Sequence, residues 1–212
     1  MFLFVMTAAV HAGPWPRAKG TTFTAMGMNS DPAASLYAEH GLGNDWTVGI
    51  ETYGNWQFHG HAALFASKSF ALEGGSRMAL DFGIETGSEG LVLVDPTTMA
   101  YGLDLTGPAV RLGASWGRGL NVLEGGWLTV GGSQRLGEIP VTKLEVTLGV
   151  SPTGWSKVYG QLQSSFVQGE AIWRFESVAG IKLSDNQDFL ISANAPLGAG
   201  DTRLGILLWQ TF

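Results

Sequence analysis

Two histidines separated by one residue, His59 and His61, are the first candidates for chemistry in this chain. In an extended strand alternate residues share a face, so the two imidazoles would stand about 6–7 Å apart. Such a spacing suits a metal ion or a shared proton. The chain has no cysteine, and no carboxylate is adjacent to the histidines in sequence. We therefore predict polar residues at the exposed end of a strand, with no metal site and no cofactor.

Serine and histidine could also form a nucleophile and base pair, since Ser67 and Ser69 follow His61 closely. Hydrolases use such pairs when a third group orients the histidine. No motif fixes the pairing here, so no catalytic residue is predicted and a hydrolase is kept only as an alternative. His40 shares its predicted face with Leu36 and is expected to lie at an interface.

Charged residues recur at alternate positions of extended segments, on the face opposite the large apolar residues. Both signs are present, which allows two interpretations. The charges form salt bridges that fill an interior, or they line a polar pore whose basic residues attract anionic solutes. The candidate solute-binding residues of such an interior are Arg77, Asp81, Glu85, Arg111, Lys143, Glu145, Arg174, Glu176 and Lys182.

The elements that would position these residues are β-strands, because alternation of apolar and polar residues recurs from Gly20 to the last residue. In residues 77–85, Leu80 and Phe82 lie on one face and Arg77 and Asp81 on the other. Only 14% of the residues are charged, compared with about 25% in soluble domains. No run of about 20 apolar residues is present, which excludes helical membrane spans. A chain that is apolar at alternate positions only is typical of a transmembrane β-barrel.

Counting turns and loops from both ends of the chain gives twelve strands, with ten as the alternative. The predicted fold is all-β, an antiparallel up-and-down transmembrane β-barrel with both termini on the periplasmic side. The two counts meet at the segment Gly87 to Gly107, the longest connection, which faces outward. Residues 91–94 and 101–105 could extend the central strand pair as a β-arm or fold inward as a constriction. Five tryptophans are predicted to form interfacial girdles, or in the alternative to be core residues: Trp46, Trp116, Trp127, Trp155 and Trp209.

The net charge of −6 and the pI near 5.1 provide no basic surface, so nucleic-acid binding is not expected. Residues 1–12 are apolar and end in Val10-His11-Ala12, which fits an export signal cleaved before Gly13. The alternative is an apolar strand or a tail. Residues 13–212 then form a single barrel domain.

The last strand carries Leu204, Ile206 and Leu208 at alternate positions and ends at Phe212. This pattern resembles the C-terminal assembly signal of bacterial outer-membrane β-barrel proteins, and the Ser35–Glu51 hairpin resembles their strand-turn-strand units. The resemblance implies a Gram-negative outer membrane, contact with outer-membrane lipids and recognition by the barrel assembly machinery. It also leaves room for an envelope protein partner, and it does not identify an activity.

Three functions stay open at this point. The first is a small channel or porin-like barrel for polar or anionic solutes. The second is a non-conducting barrel that anchors loops or binds a partner assembly, and the third is a lipid-modifying hydrolase. A continuous lumen would distinguish the first from the second.

Overall fold

A computed structural model describes residues 13–95 and 100–212, with the backbone alone for residues 89–95 and 100–106. The predicted export segment, residues 1–12, lies outside the described residues. No helix in the described part of the chain is long and apolar enough to cross a membrane. The strands are β1 (Thr22–Asn29), β2 (Ala33–Gly43), β3 (Trp46–Asn55), β4 (His59–Ala71), β5 (Ser76–Asp95), β6 (Ala100–Leu120), β7 (Gly126–Leu136), β8 (Val141–Thr153), β9 (Ser156–Val167), β10 (Glu170–Ser184), β11 (Gln187–Pro196) and β12 (Arg203–Thr211).

The twelve strands form a closed barrel in which every strand pairs antiparallel with its neighbours in sequence. Closure comes from pairing of β1 with β12, where Phe23 lies opposite Thr211 and Asn29 opposite Gly205. The prediction of a twelve-stranded up-and-down barrel is confirmed, and the ten-stranded alternative is wrong. One short 3-10 turn, Glu73–Gly75, connects β4 to β5.

Alternation along each strand separates an apolar outer face from a polar inner face. On β5, Leu80 and Phe82 are 49% and 55% exposed, whereas Ala79 is 1% exposed. Glu51 on β3 and Glu176 on β10 are buried at 3% and 4%. Large apolar side chains that stay exposed over a whole sheet face are expected where the surrounding medium is hydrocarbon. The fold is therefore that of a transmembrane β-barrel, with its charges enclosed.

The barrel has two different ends. The start of β1, the end of β12 and the tight connections at Asn44–Asp45 and Asp185–Asn186 lie at one end, which we call the turn end. The connections Ser30–Pro32 and Leu197–Thr202 lie at the other end, the loop end.

The segment predicted as the longest connection is instead paired strand. Within Gly87 to Gly107, β5 and β6 continue their ladder as far as the pair Asp95 and Ala100, with register shifts along the way. The β-arm interpretation thus fits the backbone, and a free loop does not. The 96–99 connection lies outside the described residues.

Tryptophans divide between the two faces. Trp46 and Trp155 are exposed near the turn end, and Trp116 is half-buried on the outer face. Trp127 and Trp209 face the lumen, where they pack against buried Tyr159 and its neighbours. The girdle prediction is wrong for these two residues because their strand positions share the inward parity.

The terminal residue contributes to the seam that closes the barrel. The Phe212 amide donates to the Thr22 carbonyl at 2.8 Å, and the Thr22 amide donates to the Phe212 carbonyl at 3.2 Å. Its side chain is 64% exposed on the outside. Phe212 therefore offers backbone hydrogen bonds to the seam and an apolar side chain to the surroundings.

We expect deletion of Phe212 to impair assembly, because it removes two hydrogen bonds at the closing strand pair and the aromatic end of the proposed assembly signal. The measurement is the folded fraction in isolated outer membranes, read as heat-modifiable migration on gels. Gln210→Ala, a truncation on the same strand, is the control. Normal assembly of the deletion variant would remove Phe212 from the assembly signal.

Arginine on the lipid face near mid-bilayer should destabilise the barrel. We expect Leu80→Arg and Val146→Arg each to lower the free energy of unfolding by about 2–4 kcal/mol, and Leu183→Arg near the turn end by about 0–1 kcal/mol. Urea unfolding in lipid vesicles, followed by tryptophan fluorescence, gives these values. Equal effects at all three positions would contradict the assignment of mid-bilayer depth.

Candidate functional site in the barrel lumen

An array of six aromatic rings follows the lumen wall from β7 to β4. Successive ring centroids lie 5.6–6.5 Å apart, and two of the contacts are stacked, with interplanar angles of 24° and 22°. Aromatic pairs at such distances stabilise each other beyond their buried area. The array narrows the turn half of the lumen. In order along the wall the rings are Trp127, Tyr159, Trp209, Phe23, Tyr37 and Phe65.

The chain before β1 also lies inside the lumen at the turn end. Pro14 is among the fully buried side chains, and the Arg17 Nε atom donates to Glu39 Oε2 at 2.7 Å. The Arg17 guanidinium also lies 4.1 Å from the centre of the Phe23 ring. Sequence reasoning missed this segment because its Pro-Trp-Pro-Arg composition has no strand period.

Further inside, a buried network of acids and bases crosses the lumen. Arg111 Nη1 donates to Glu51 Oε2 at 2.9 Å and lies 3.9 Å from Glu85 Oε2. Arg135 Nε lies 2.7 Å from Glu85 Oε1, and His61 Nε2 lies 3.3 Å from Glu51 Oε1. Paired charges with few accessible atoms are much less costly than isolated ones. The sequence indicated His61, Glu85 and Arg111, and alternation also places Glu51 on the inner face. Arg135 was missed because it lies on β7, where glycines obscure the alternation.

A cavity of about 70 Å³ lies beside this network. A water molecule needs about 10–15 Å³, so the cavity holds a few waters. In the described part of the chain, the side chains of Lys143 and Asp81 make no hydrogen bond or ion pair, and both line the cavity. Its lining also includes Glu39, Glu51, Arg111, Glu145 and Gln163. A polar cavity with charged groups of both signs can solvate a small polar solute.

A second group of charges lies towards the loop end. The Arg174 Nε atom donates to Asn194 Oδ1, and its Nη2 atom donates to the Asn194 carbonyl at 3.3 Å. Arg203 pairs with Asp31 at 3.0 Å. Glu176, with Asn194 and Arg203, lines a cavity of about 60 Å³ there. Arg174 thus hydrogen-bonds to an amide side chain and its backbone carbonyl. Among the described residues it makes no ion pair with a carboxylate.

Two of the predicted solute-binding residues lie at the rim instead. Arg77 Nη1 lies 3.4 Å from Asp45 Oδ1, and Lys182 Nζ donates to Asp185 Oδ1 at 2.9 Å. That hydrogen bond and the charge of Lys182 lower the pKa of the Asp185 carboxyl. The structure therefore brings Asp81, Lys143 and Glu145 to one cavity, and places Arg77 and Lys182 at the turn end.

The candidate hydrolase residues are not brought together. His61 and Ser67 both face the lumen but are six residues apart on β4, about 20 Å along an extended strand. His40 lies on the outer face, where its Nδ1 atom is 2.9 Å from Thr22 Oγ1. In the part of the chain that the structure describes, no three His, Asp or Glu residues cluster closely enough to hold a metal ion. The structure therefore does not bring His61 and Ser67 within hydrogen-bonding distance.

Comparison with known proteins shows similarity of fold. No protein-family model matches the chain, and no curated protein sequence matches it. The KdgM porin in complex with disordered oligogalacturonate superposes with a TM-score of 0.67 and 10% identity, over 91% of this chain and 99% of that chain. The NanC porin gives 0.62 and 9%, over 88% and 98%. The COG4313 outer membrane channel from Pseudomonas putida F1 gives 0.65 and 10%, over 98% and 100%.

Removing the central guanidinium should destabilise the barrel. We expect Arg111→Met to lower the free energy of unfolding by about 3–5 kcal/mol, because Glu51 and Glu85 lose a buried partner. Adding Glu51→Gln should recover part of the loss. Arg118→Met, on the outer face of the same strand, should change it by about 0.5 kcal/mol or less. Urea unfolding measures all three variants, and equal stability of Arg111→Met and the parent would contradict the network.

Proposed function

We propose that this chain is a narrow channel of the bacterial outer membrane for small polar solutes, with a preference for anions. The observation that carries the proposal is the mid-lumen cavity, which is lined by charged groups of both signs and contains Lys143 without an ion-pair partner in the described structure. Lys143 is half-buried in the lumen wall, and a barrel that served only as a scaffold would gain nothing from a lumen charge without a partner.

The preference for anions rests on how charge is distributed over the barrel. The whole chain carries −6, but most of its basic residues face the lumen, while many of its acids lie in turns and loops at both ends. Field lines are focused inside a low-dielectric wall, so a lumen base that lacks a carboxylate partner acts strongly on a passing ion. The basic residues inside the lumen are Arg17, Arg111, Arg135, Lys143, Lys157, Arg174 and Arg203, and Arg77 and Lys182 lie at its turn-end rim. Of those inside the lumen, Lys143 and Arg174 make no ion pair among the described residues.

The structural neighbours support this proposal. Three of them are outer-membrane porins or channels, and one of those was solved with oligogalacturonate, an acidic saccharide. At about 10% identity the likeness shows the fold, so the solute class proposed here rests on the lumen charges. Export through a cleaved segment at residues 1–12, contact with outer-membrane lipids and recognition by the assembly machinery belong to the same proposal.

A sealed barrel that anchors loops or binds an envelope partner is the second candidate. The aromatic array and the chain segment before β1 favour it, because together they narrow the turn end of the lumen. The two candidates differ in one measurable property, which is ion conduction by the folded barrel.

The test is single-channel recording in planar bilayers under a KCl gradient. We expect ohmic steps with a reversal potential that shows anion preference. Lys143→Gln should lower the ratio of anion to cation permeability about tenfold. A unit charge about 6 Å away in water stabilises an anion and destabilises a cation by about 0.7 kcal/mol each, so the ratio changes by about 1.4 kcal/mol. Lys68→Gln, which removes a lysine from the outer face, should leave the ratio unchanged.

Two outcomes would overturn the channel proposal. One is the absence of current from folded barrel, both for the native chain and for a variant without residues 14–19. The other is a permeability ratio that Lys143→Gln and Lys68→Gln alter equally, since the preference would then not arise at the mid-lumen cavity.

A further inference from the structure

The lumen wall contains a socket for the chain's own N-terminal segment. Gly117 on β6 faces inward, and a Cβ atom there would lie 2.8 Å from Trp15 Cη2 and 2.9 Å from Pro14 Cγ. At Gly41 on β2, a Cβ atom would overlap the carbonyl oxygens of Arg17 and Ala18. The wall therefore has no side chain at the two positions where the segment approaches it most closely.

Specific polar contacts fix the segment in this socket. The Arg17 amide donates to Thr47 Oγ1 at 3.2 Å, and the Arg17 side chain pairs with Glu39. Glu39 also accepts from the Tyr37 hydroxyl at 2.5 Å. One carboxylate on β2 thus holds a base from the segment and a member of the aromatic array together.

The segment can leave without breaking the barrel. It lies outside the strands, and its last residues, Ala18 to Gly20, are exposed. Its side chains contribute no ladder hydrogen bond, since closure of the barrel depends on β1 and β12. The Arg17 to Glu39 ion pair is partly buried, with 21% of the Arg17 side chain and 8% of the Glu39 side chain exposed. The Tyr37 hydroxyl can still donate to Glu39 when Arg17 leaves, so the carboxylate keeps a hydrogen-bond partner.

We propose that residues 13–19 are a displaceable plug, which closes the lumen at the turn end and covers the mid-lumen cavity. Gly13 itself lines that cavity, beside Glu145 and Lys143. The first described residue of the segment thus lies at the cavity that holds the proposed solute-binding charges. This inference rests on the proposed channel function for its biological meaning, but the plug's position and release can be measured without any ion current.

The experiment places a single cysteine in the cavity, since the chain has none of its own. Ser133→Cys, a cavity-lining position, is labelled with an anionic methanethiosulfonate and followed by mass spectrometry. Adding Gly117→Val should raise the labelling rate about tenfold, which corresponds to an opening free energy lowered by about 1.4 kcal/mol. The matched control is Gly119→Val, two residues further on the same strand, where a Cβ atom would meet nothing within 4 Å.

Deletion of residues 14–19 provides the second variant, because it cannot strain the wall as a new valine can. It should raise the labelling rate at least as much as Gly117→Val. Equal labelling rates in the parent, the deletion and Gly117→Val would overturn the plug. So would equal acceleration by Gly119→Val and Gly117→Val, since the effect would then not depend on the socket.

Current recordings on the same proteins separate this inference from the proposed function. Faster labelling without current in any variant would contradict the channel proposal and still support the plug. The opposite result is current from the native chain that neither Gly117→Val nor the deletion increases, together with unchanged labelling rates. It would contradict the plug and still support the channel proposal.

Discussion

Backbone hydrogen bonding at the β1–β12 seam is the constraint on which the rest of this structure depends. A strand edge inside hydrocarbon would leave a row of amides and carbonyls without partners, and each would cost several kcal/mol. Pairing from Phe23 to Asn29 against β12 removes that edge. In the closed sheet each side chain points either to the lipid or to the lumen, and the two directions alternate along every strand.

The side chains of the inner face determine how much of the space inside the barrel is filled. Twelve strands enclose more space than side chains fill in eight-stranded barrels, yet the central cavity is only about 70 Å³. Long side chains such as Arg111 and Arg135 extend along the inner wall to carboxylates two or three strands away, while glycines on neighbouring strands leave room for large rings. Trp127, for example, packs against Gly149. The bore is therefore set by side chains and by the plug rather than by the strand number.

The sequence predicted the strand count because the turns and loops between strands can be counted, and it predicted the inward parity of the charges because that follows from alternation. It could not assign Trp127 and Trp209 to the lumen, since a tryptophan near a strand end suits either face. It also missed Arg135, whose strand is rich in glycine, and the segment around Trp15, which has no period. The pairing of Glu85 with Arg135 depends on the register between strands, and the residue pattern of one strand does not determine that register.

Ion pairing allows charged side chains to occupy a narrow lumen. Buried bases need carboxylates nearby to be tolerated, and the Glu51 and Glu85 network supplies them for Arg111 and Arg135. Lys143 has no such partner in the described structure, and it lies at the cavity that the plug covers. An amine in a small polar cavity, behind a segment held by the packing of Pro14 and by one partly buried ion pair, is arranged for a solute that arrives after the segment moves.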